Sequence, residues 1–265
     1  MKYTSLPIAA LAIFSASSAT AQTEAPKVEL EKAAERTPEL TQKTSYGLGY
    51  QNGAQFASNG FNQTDFDTEA YLKGLLTGLA GKELELDTEE YRNAIKTLDT
   101  LIRKREETIS AENLKLGAEF LAKNSKREGI ITTKSGLQYE ILTAGKGKTY
   151  QVPENTINGQ DITTQFKVNC TGALLDGRKF LVTTEGKPAT FSLNIIKGPA
   201  EALKLMPVGS KWKVYVPAEL GFGKLRQGAM IAPNSTLVYE LELLEIISVK
   251  LPSKPALPHD FKLNQ

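Results

Sequence analysis

The most constraining feature of this chain is a run of about 36 residues, Thr88 to Lys123, with no proline and no glycine before Gly117. Asp87, followed three positions on by Glu90, fits an N-cap and capping-box start. Apolar residues then recur at Tyr91, Ile95, Leu98, Ile102, Ile109, Leu116 and Phe120, at spacings of three, four or their sum. At about 1.5 Å per residue, one helix here reaches about 54 Å. Its other faces are charged, as in Arg103-Lys104-Arg105-Glu106-Glu107. So long a helix with one narrow apolar stripe predicts a partner along that stripe, a role compatible with being a spacer.

The segments before it set the context. Lys2 supplies positive charge, Leu6 to Phe14 is apolar, and Ala19-Thr20-Ala21 offers a small-x-small cleavage site. Residues 1–21 therefore predict a cleavable signal peptide and a periplasmic or otherwise exported mature chain. The apolar run is too short to span a bilayer as a helix, and no later stretch predicts stable membrane insertion. Residues 22–38 are polar, hold Pro26 and Pro38, and read as a flexible segment. Across 39–87, apolar stretches alternate with glycines, as in Tyr46-Gly47-Leu48-Gly49-Tyr50 and then Ala70 to Leu79. This predicts two or three short helices unable to bury their apolar faces alone, followed by the 88–124 linking helix.

Composition removes several chemistries. Cys170 is the single cysteine and His259 the single histidine. Histidine metal sites, Ser/His/Asp triads and Cys/His pairs thus lack raw material, and an internal disulfide is impossible. The formal net charge is +2, from 32 Lys and Arg against 30 Asp and Glu, so no nucleic-acid partner is implied.

From Gly136 the pattern turns β-rich. Runs at Leu137–Leu142, Thr164–Val168, Thr190–Leu193, Lys211–Val216 and Thr236–Ile246 are broken by turns, among them Asp176-Gly177, and by one helical stretch at about Pro199–Leu205. Strands with one short helix among them predict an α+β domain on an antiparallel sheet. Residues 249–265, with Pro252, Pro255 and Pro258, read as an extended tail.

A set of short motifs stands in this half: Gly136-Leu137-Gln138-Tyr139, Thr171-Gly172-x-Leu174-x-Asp176-Gly177-x-x-Phe180, Gly186-Lys187-Pro188-Ala189-Thr190-Phe191, Glu201-Ala202-Leu203-x-Leu205-Met206-x-x-Gly209, Val216-Pro217, Gly221-Phe222-Gly223 and Pro233-Asn234-x-Thr236-Leu237-Val238-Tyr239-Glu240-Leu241. In order and spacing they resemble the FKBP domain, across residues 134–248. Residues from about Leu40 to Gly129, opening on Ser45-Tyr46-x-x-Gly49, resemble the N-terminal domain of Mip-like FKBPs. The resemblance implies an all-helical N-terminal association domain (39–87) with a long linking helix. After it would come an FKBP-type antiparallel half-barrel sheet wrapped on a short helix. It further implies a homodimer through the N-terminal helices, X-Pro-containing or unfolded polypeptides as partners, and neither cofactor nor metal.

The implied reaction is rotation about an X-Pro amide, with a barrier of about 20 kcal/mol and no need for a nucleophile. By resemblance the catalytic set is Phe180, Phe222 and Tyr239, and the substrate-binding set Cys170, Leu181, Phe191, Ile195, Ile196, Pro199 and Ile231. Phe180 falls on the wall that contacts the proline ring, Ile195 and Ile196 on the pair whose backbone receives substrate, Phe191 and Tyr239 on interior aromatic positions. Sheet core is the other reading of each aromatic, and for Phe191 the two are evenly balanced. Four positions depart from the family pattern: Cys170 stands for a Tyr, Leu181 for an Asp, Pro199 for a Trp, and Phe222 for a Tyr hydroxyl. One lost transition-state hydrogen bond costs about 3 kcal/mol, about a hundredfold in rate. Weak isomerase activity beside a chaperone activity is therefore expected, with a non-catalytic dimeric chaperone or peptide-binding module as the alternative.

Overall fold

The computed structural model describes residues 36–153, 156, 161–184 and 186–248. The predicted signal peptide of residues 1–21, nearly all of 22–38, His259 and the predicted 249–265 tail lie outside the described residues. The chain divides into two units, one ending at Tyr46 and the other starting at Gly47.

In the first unit, Thr37 Oγ1 accepts from Leu40 N–H at 3.1 Å, and Pro38 takes the first helical position, where no N–H is needed. Helix α1, Pro38–Ser58, runs unbroken through Gly47, Gly49 and Gly53, where the sequence predicts interruption. Each glycine weakens a helix by about 1 kcal/mol without ending it. Past the end of α1, within the second unit, the chain turns at Gly60, whose φ of 85° a side-chain-bearing residue adopts only with strain.

In the second unit, α2 (Thr68–Leu79) is capped by Asp67, which accepts from Ala70 N–H at 2.9 Å. Phe56, Phe61, Phe66 and Tyr71 gather nearby, with ring centroids 4.8–5.9 Å apart. The long helix is present as α3, Thr88–Asn124, capped by Asp87 Oδ1 on Glu89 N–H (2.9 Å) and Glu90 N–H (3.0 Å). Arg105 on α3 grips Asp65 through both guanidinium ends, at 3.0 and 2.7 Å, and also donates to Gly60 O. That grip holds the Asp65 carboxyl below its ordinary range.

The remaining elements form one antiparallel sheet and a helix: β1 (Ile130–Thr132), β2 (Gln138–Thr143), β3 (Thr164–Leu174), β4 (Lys179–Val182), β5 (Ala189–Ser192), α4 (Lys197–Leu205), β6 (Lys211–Val216) and β7 (Leu237–Ser248). The strand order is β1-β2-β6-β7-β3-β4, and β5 shares the outer edge of β3 with β4. Inward residues alternate along β3 and β7, and Leu203 and Met206 of α4 and its end close over them in one buried cluster. The Asp176-Gly177 turn joins β3 to β4, with Gly177 at φ 85° and Leu174 N–H bonded to Arg178 O at 2.9 Å.

The face of α3 that packs coincides with the predicted apolar stripe at Leu98, Ile102, Ile109 and Phe120 and departs from it elsewhere. Ile102 is buried, but Tyr91 and Ile95 are exposed and Leu116 is 57% exposed. From Glu106 onward, polar or small residues (Glu106, Ser110, Asn113, Gly117 and Asn124) are covered alongside Ile109, Phe120 and Leu121. Asn124 donates to Gln138 Oε1 (2.9 Å), and Gln138 Nε2 donates to Leu121 O (3.0 Å). This half of α3 meets loop carbonyls and side-chain amides as well as apolar partners such as Tyr215, so hydrogen-bonding groups share the packed face with Ile109, Phe120 and Leu121.

Candidate functional site

The site grows from the middle of β3. Gly172 lies opposite Tyr239 of β7 on one side and Leu181 of β4 on the other. A Cβ on Gly172 would sit 2.6 Å from Phe180 Cε2 and 3.1 Å from Tyr239 Cε1. Only a glycine there lets the Phe180 ring lie across the strand and meet Tyr239 edge-on, with centroids 5.6 Å apart at 82°. The geometry assigns Gly172 a role that its place in a sequence motif does not disclose.

The other residues singled out from the sequence fall as follows. Cys170, Tyr239 and Ile231 belong to the buried cluster, and Phe180, Leu181, Phe191, Ile195, Ile196 and Phe222 pack against it half-buried. Phe191 on β5 faces the fully buried Phe166 across the β3 ladder, which ties it to the sheet core. Pro199 is fully buried inside α4. The first bond of α4 runs from Ala200 N–H to Ile196 O, so Pro199 occupies a first-turn position that needs no donor. Phe222 follows a short 3₁₀ turn, Ala218–Leu220, and opens a loop that returns to the core at Ile231.

The wall of this site is apolar. Cys170 is 2% exposed, and burial pushes its thiol up to about 12, which keeps it protonated at neutral pH. Burial, and next the neighbouring Cys170, also raises the Tyr239 phenol. Neither group is a base or nucleophile at neutral pH. Such a wall can strip water from an amide and hold a small ring, without donating or removing a proton. Among the described residues, no three His, Cys, Asp or Glu side chains gather as metal ligands, and no helix is long and apolar enough to cross a membrane.

Three features were not legible as part of the site: the seat at Gly172, the loop residues Arg226 and Asn234, and the polar face of α3. The last had a signal, since Glu106, Ser110, Asn113, Gly117 and Asn124 recur at helical spacing, but polar periodicity also describes any solvated face.

Residues 41–141 match the domain amino terminal to FKBP-type peptidyl-prolyl isomerase, and residues 158–244 match the FKBP-type peptidyl-prolyl cis-trans isomerase domain. The FKBP-type 22 kDa peptidyl-prolyl cis-trans isomerase of Escherichia coli is 37% identical over 211 residues, covering 77% of this chain and 95% of that protein. The outer membrane protein MIP of Legionella longbeachae is 35% identical over 77% of this chain and 84% of its own length. The crystal structure of FkpA from Escherichia coli aligns with a TM-score of 0.53 at 27% identity, over 82% of this chain and all of that one.

Proposed function

The chain belongs to the FKBP-type peptidyl-prolyl cis-trans isomerases, and we propose that it acts outside the cytoplasm as a dimeric folding helper. In this reading it receives X-Pro segments of incompletely folded polypeptides at the Phe180–Tyr239 site. The observation that carries the site assignment is the Phe180 ring held edge-on to Tyr239 over Gly172. A proline ring placed against that wall leaves water, and its imide loses the solvation that favours the planar, charge-separated form. Ile231 lies in the same buried cluster as Tyr239, and Phe222, Ile195 and Ile196 pack against it. In this reading Phe222 and Ile231 of the returning loop complete the wall, and the backbone of Ile195 and Ile196 receives the substrate. Rotation needs only this, because no bond to the protein forms or breaks.

The polar equipment is thin. Cys170 lies within the core cluster with its thiol protonated, Leu181 carries no carboxylate and Phe222 no hydroxyl. These positions favour weak turnover over strong. The chaperone reading draws on a groove of ≈ 880 Å³ whose lining combines the aromatic rings of Phe56, Phe61, Phe66 and Tyr71 with the charged Arg105, Glu106 and Arg226, a surface suited to amphipathic chain segments. The dimer reading draws on Leu72, Leu75, Leu76 and Leu79, exposed on α2, which buries no residue of its own, and on Tyr91, exposed at the start of α3. Export rests on the signal-like residues 1–21 and on the name of the Legionella relative.

The test uses the mature chain from Gln22. Isomerisation of a short X-Pro peptide and suppression of aggregation of a proline-poor client are measured side by side, with light scattering for mass. Measurable but low turnover, suppressed aggregation and a dimer are expected. Turnover at the level of a potent isomerase sinks the weak-activity reading, unsuppressed aggregation sinks the chaperone, and a monomer sinks the dimer. The non-catalytic alternative, favoured by Cys170, Leu181, Pro199 and Phe222 together, requires zero turnover with suppression retained.

A further inference from the structure

The loop that joins Phe222 to Ile231 carries two of the proposed site residues, and it does not hold itself in place alone. Its base is closed by Asn234 N–H on Gly223 O at 2.6 Å. Its arms pair through Gln227 N–H on Ile231 O (2.8 Å) and Ile231 N–H on Gln227 O (3.2 Å). The tip is then tied outward, to the long helix. Arg226 Nε and Nη2 donate to Glu106 Oε2 and Oε1, both at 2.7 Å, in the two-pronged geometry that fixes direction as well as distance. The two side chains are only 15% and 19% exposed, so water screens this pair less than it does the exposed i,i+4 pair of Arg103 and Asp99 on the same helix. The third prong of Arg226 donates to Ala229 O at 3.3 Å, so one guanidinium clasps both the loop's own turn and α3.

Two further ties follow the same helix face. Asn234, at a left-handed φ of 57°, donates through Nδ2 to Ser110 Oγ at 2.7 Å, and Asn113 Nδ2 donates to Pro233 O at 2.9 Å. Glu106, Ser110 and Asn113 stand at i, i+4 and i+7, one face of α3. The helix therefore contacts the loop at its tip and at its return. With two glycine bends, at Gly223 and Gly228, and no buried apolar residue between Phe222 and Ile231, the loop has little apolar reason to adopt one shape.

We propose that α3 sets the position of loop residues 223–234 at the proline site, with Glu106 and Arg226 as positioning residues for isomerisation acting through Phe222 and Ile231. The assignment rests on the isomerase reading above. Its consequence is that the long helix is part of the working site and not only a strut: whatever bends or displaces α3 near Glu106 alters substrate affinity.

The full mature chain is compared with Glu106→Gln, which keeps the shape and removes the charge. Amide hydrogen exchange of residues 224–232 is read together with kcat and KM on an X-Pro peptide. Exchange is expected to rise about tenfold in the loop and stay unchanged in β3 and β7, and KM to rise at least threefold while kcat changes less than twofold. The reversed pair, Glu106→Arg with Arg226→Glu, restores both in large part, and Arg103→Gln does nothing. Should Glu106→Gln fail to fold, Arg226→Lys, which keeps the charge and loses the fork, supplies the same readouts. Unchanged loop exchange overturns the proposal, as does faster exchange with KM unmoved. A wild-type chain that turns over no peptide sinks the isomerase reading separately. The proposal then stands only if Glu106→Gln both loosens the loop and weakens peptide affinity in a titration.

Discussion

Replacing Gly172 by alanine isolates the site from the fold more cleanly than any change to the site residues themselves. The added methyl would lie 2.6 Å from Phe180 Cε2, 2.7 Å from Phe180 Cζ and 3.1 Å from Tyr239 Cε1. Carbon atoms settle at about 3.5 Å or more, so the Phe180 ring must withdraw by about 1 Å. The clash is with the far end of a half-buried side chain and not with backbone, which lets the ring swing outward. Overpacking then sits near the lower end of its range, about 1 kcal/mol, and loss of the edge-on pair adds about 1 kcal/mol. Against these, a strand alanine gains about 0.5 kcal/mol over glycine from the unfolded state. The net is a loss of about 1–2 kcal/mol in urea unfolding. Activity should fall much further, because misplacing a contact group by about 1 Å can cost about a hundredfold. At least a tenfold drop in kcat/KM on an X-Pro peptide is expected, with near-complete folding by circular dichroism. A folded Gly172→Ala protein with wild-type kcat/KM refutes the placement of the proline against Phe180. So does a drop that only tracks the unfolded fraction.

Three further outcomes are expected. Asp161 accepts from Thr163 N–H, Thr163 Oγ1–H and Thr164 N–H at 2.8–3.0 Å. Burial alone would raise its carboxyl, but hydrogen bonds from Thr163 and Thr164 outweigh it and hold it at about 2. Since that lies below the unfolded value of about 3.9, its contribution of about 2 kcal/mol is complete above pH ~5 and is lost as pH falls through ~2. Asp161→Asn should therefore lower urea stability by about 2 kcal/mol at pH 7 and narrow the gap to wild type on acidification; a gap independent of pH refutes this. Gly117→Ala drives a Cβ into Thr236 Oγ1, well inside contact distance, and should cost about 1–3 kcal/mol despite better helix propensity. The added change Thr236→Ala should recover part of that loss, and no recovery refutes the clash. Cys170, with its thiol pushed up to about 12, should react with iodoacetamide at pH 8 at least a thousandfold more slowly in the native chain than in urea. Comparable rates would place it at the surface.

Much of this molecule is written in local pattern. Asp87 and the proline-free run after it specify α3, because capping and backbone propensity act between neighbours in sequence. The Lys211–Val216 run is β6 as it stands, and Asp176-Gly177 marks the β3–β4 turn. The ordered motifs carry the family. What local pattern misjudges is what each face meets. Leu116 fits an apolar stripe yet is exposed, while Gly117 beside it is buried because Thr236 comes within a methyl's reach. Likewise α1 continues through three glycines that look like breaks.

The sequence by itself determined the long helix and the β-rich half, which follow from spacings shorter than one element, and the family, which follows from the order of short motifs along the chain. Only the tertiary structure decided that Gly172 seats the Phe180 ring against Tyr239, and that Arg226 reaches Glu106 across 120 positions of chain. A close approach or a two-pronged ion pair depends on where two distant backbones come to lie, and no periodicity in either segment encodes that separation.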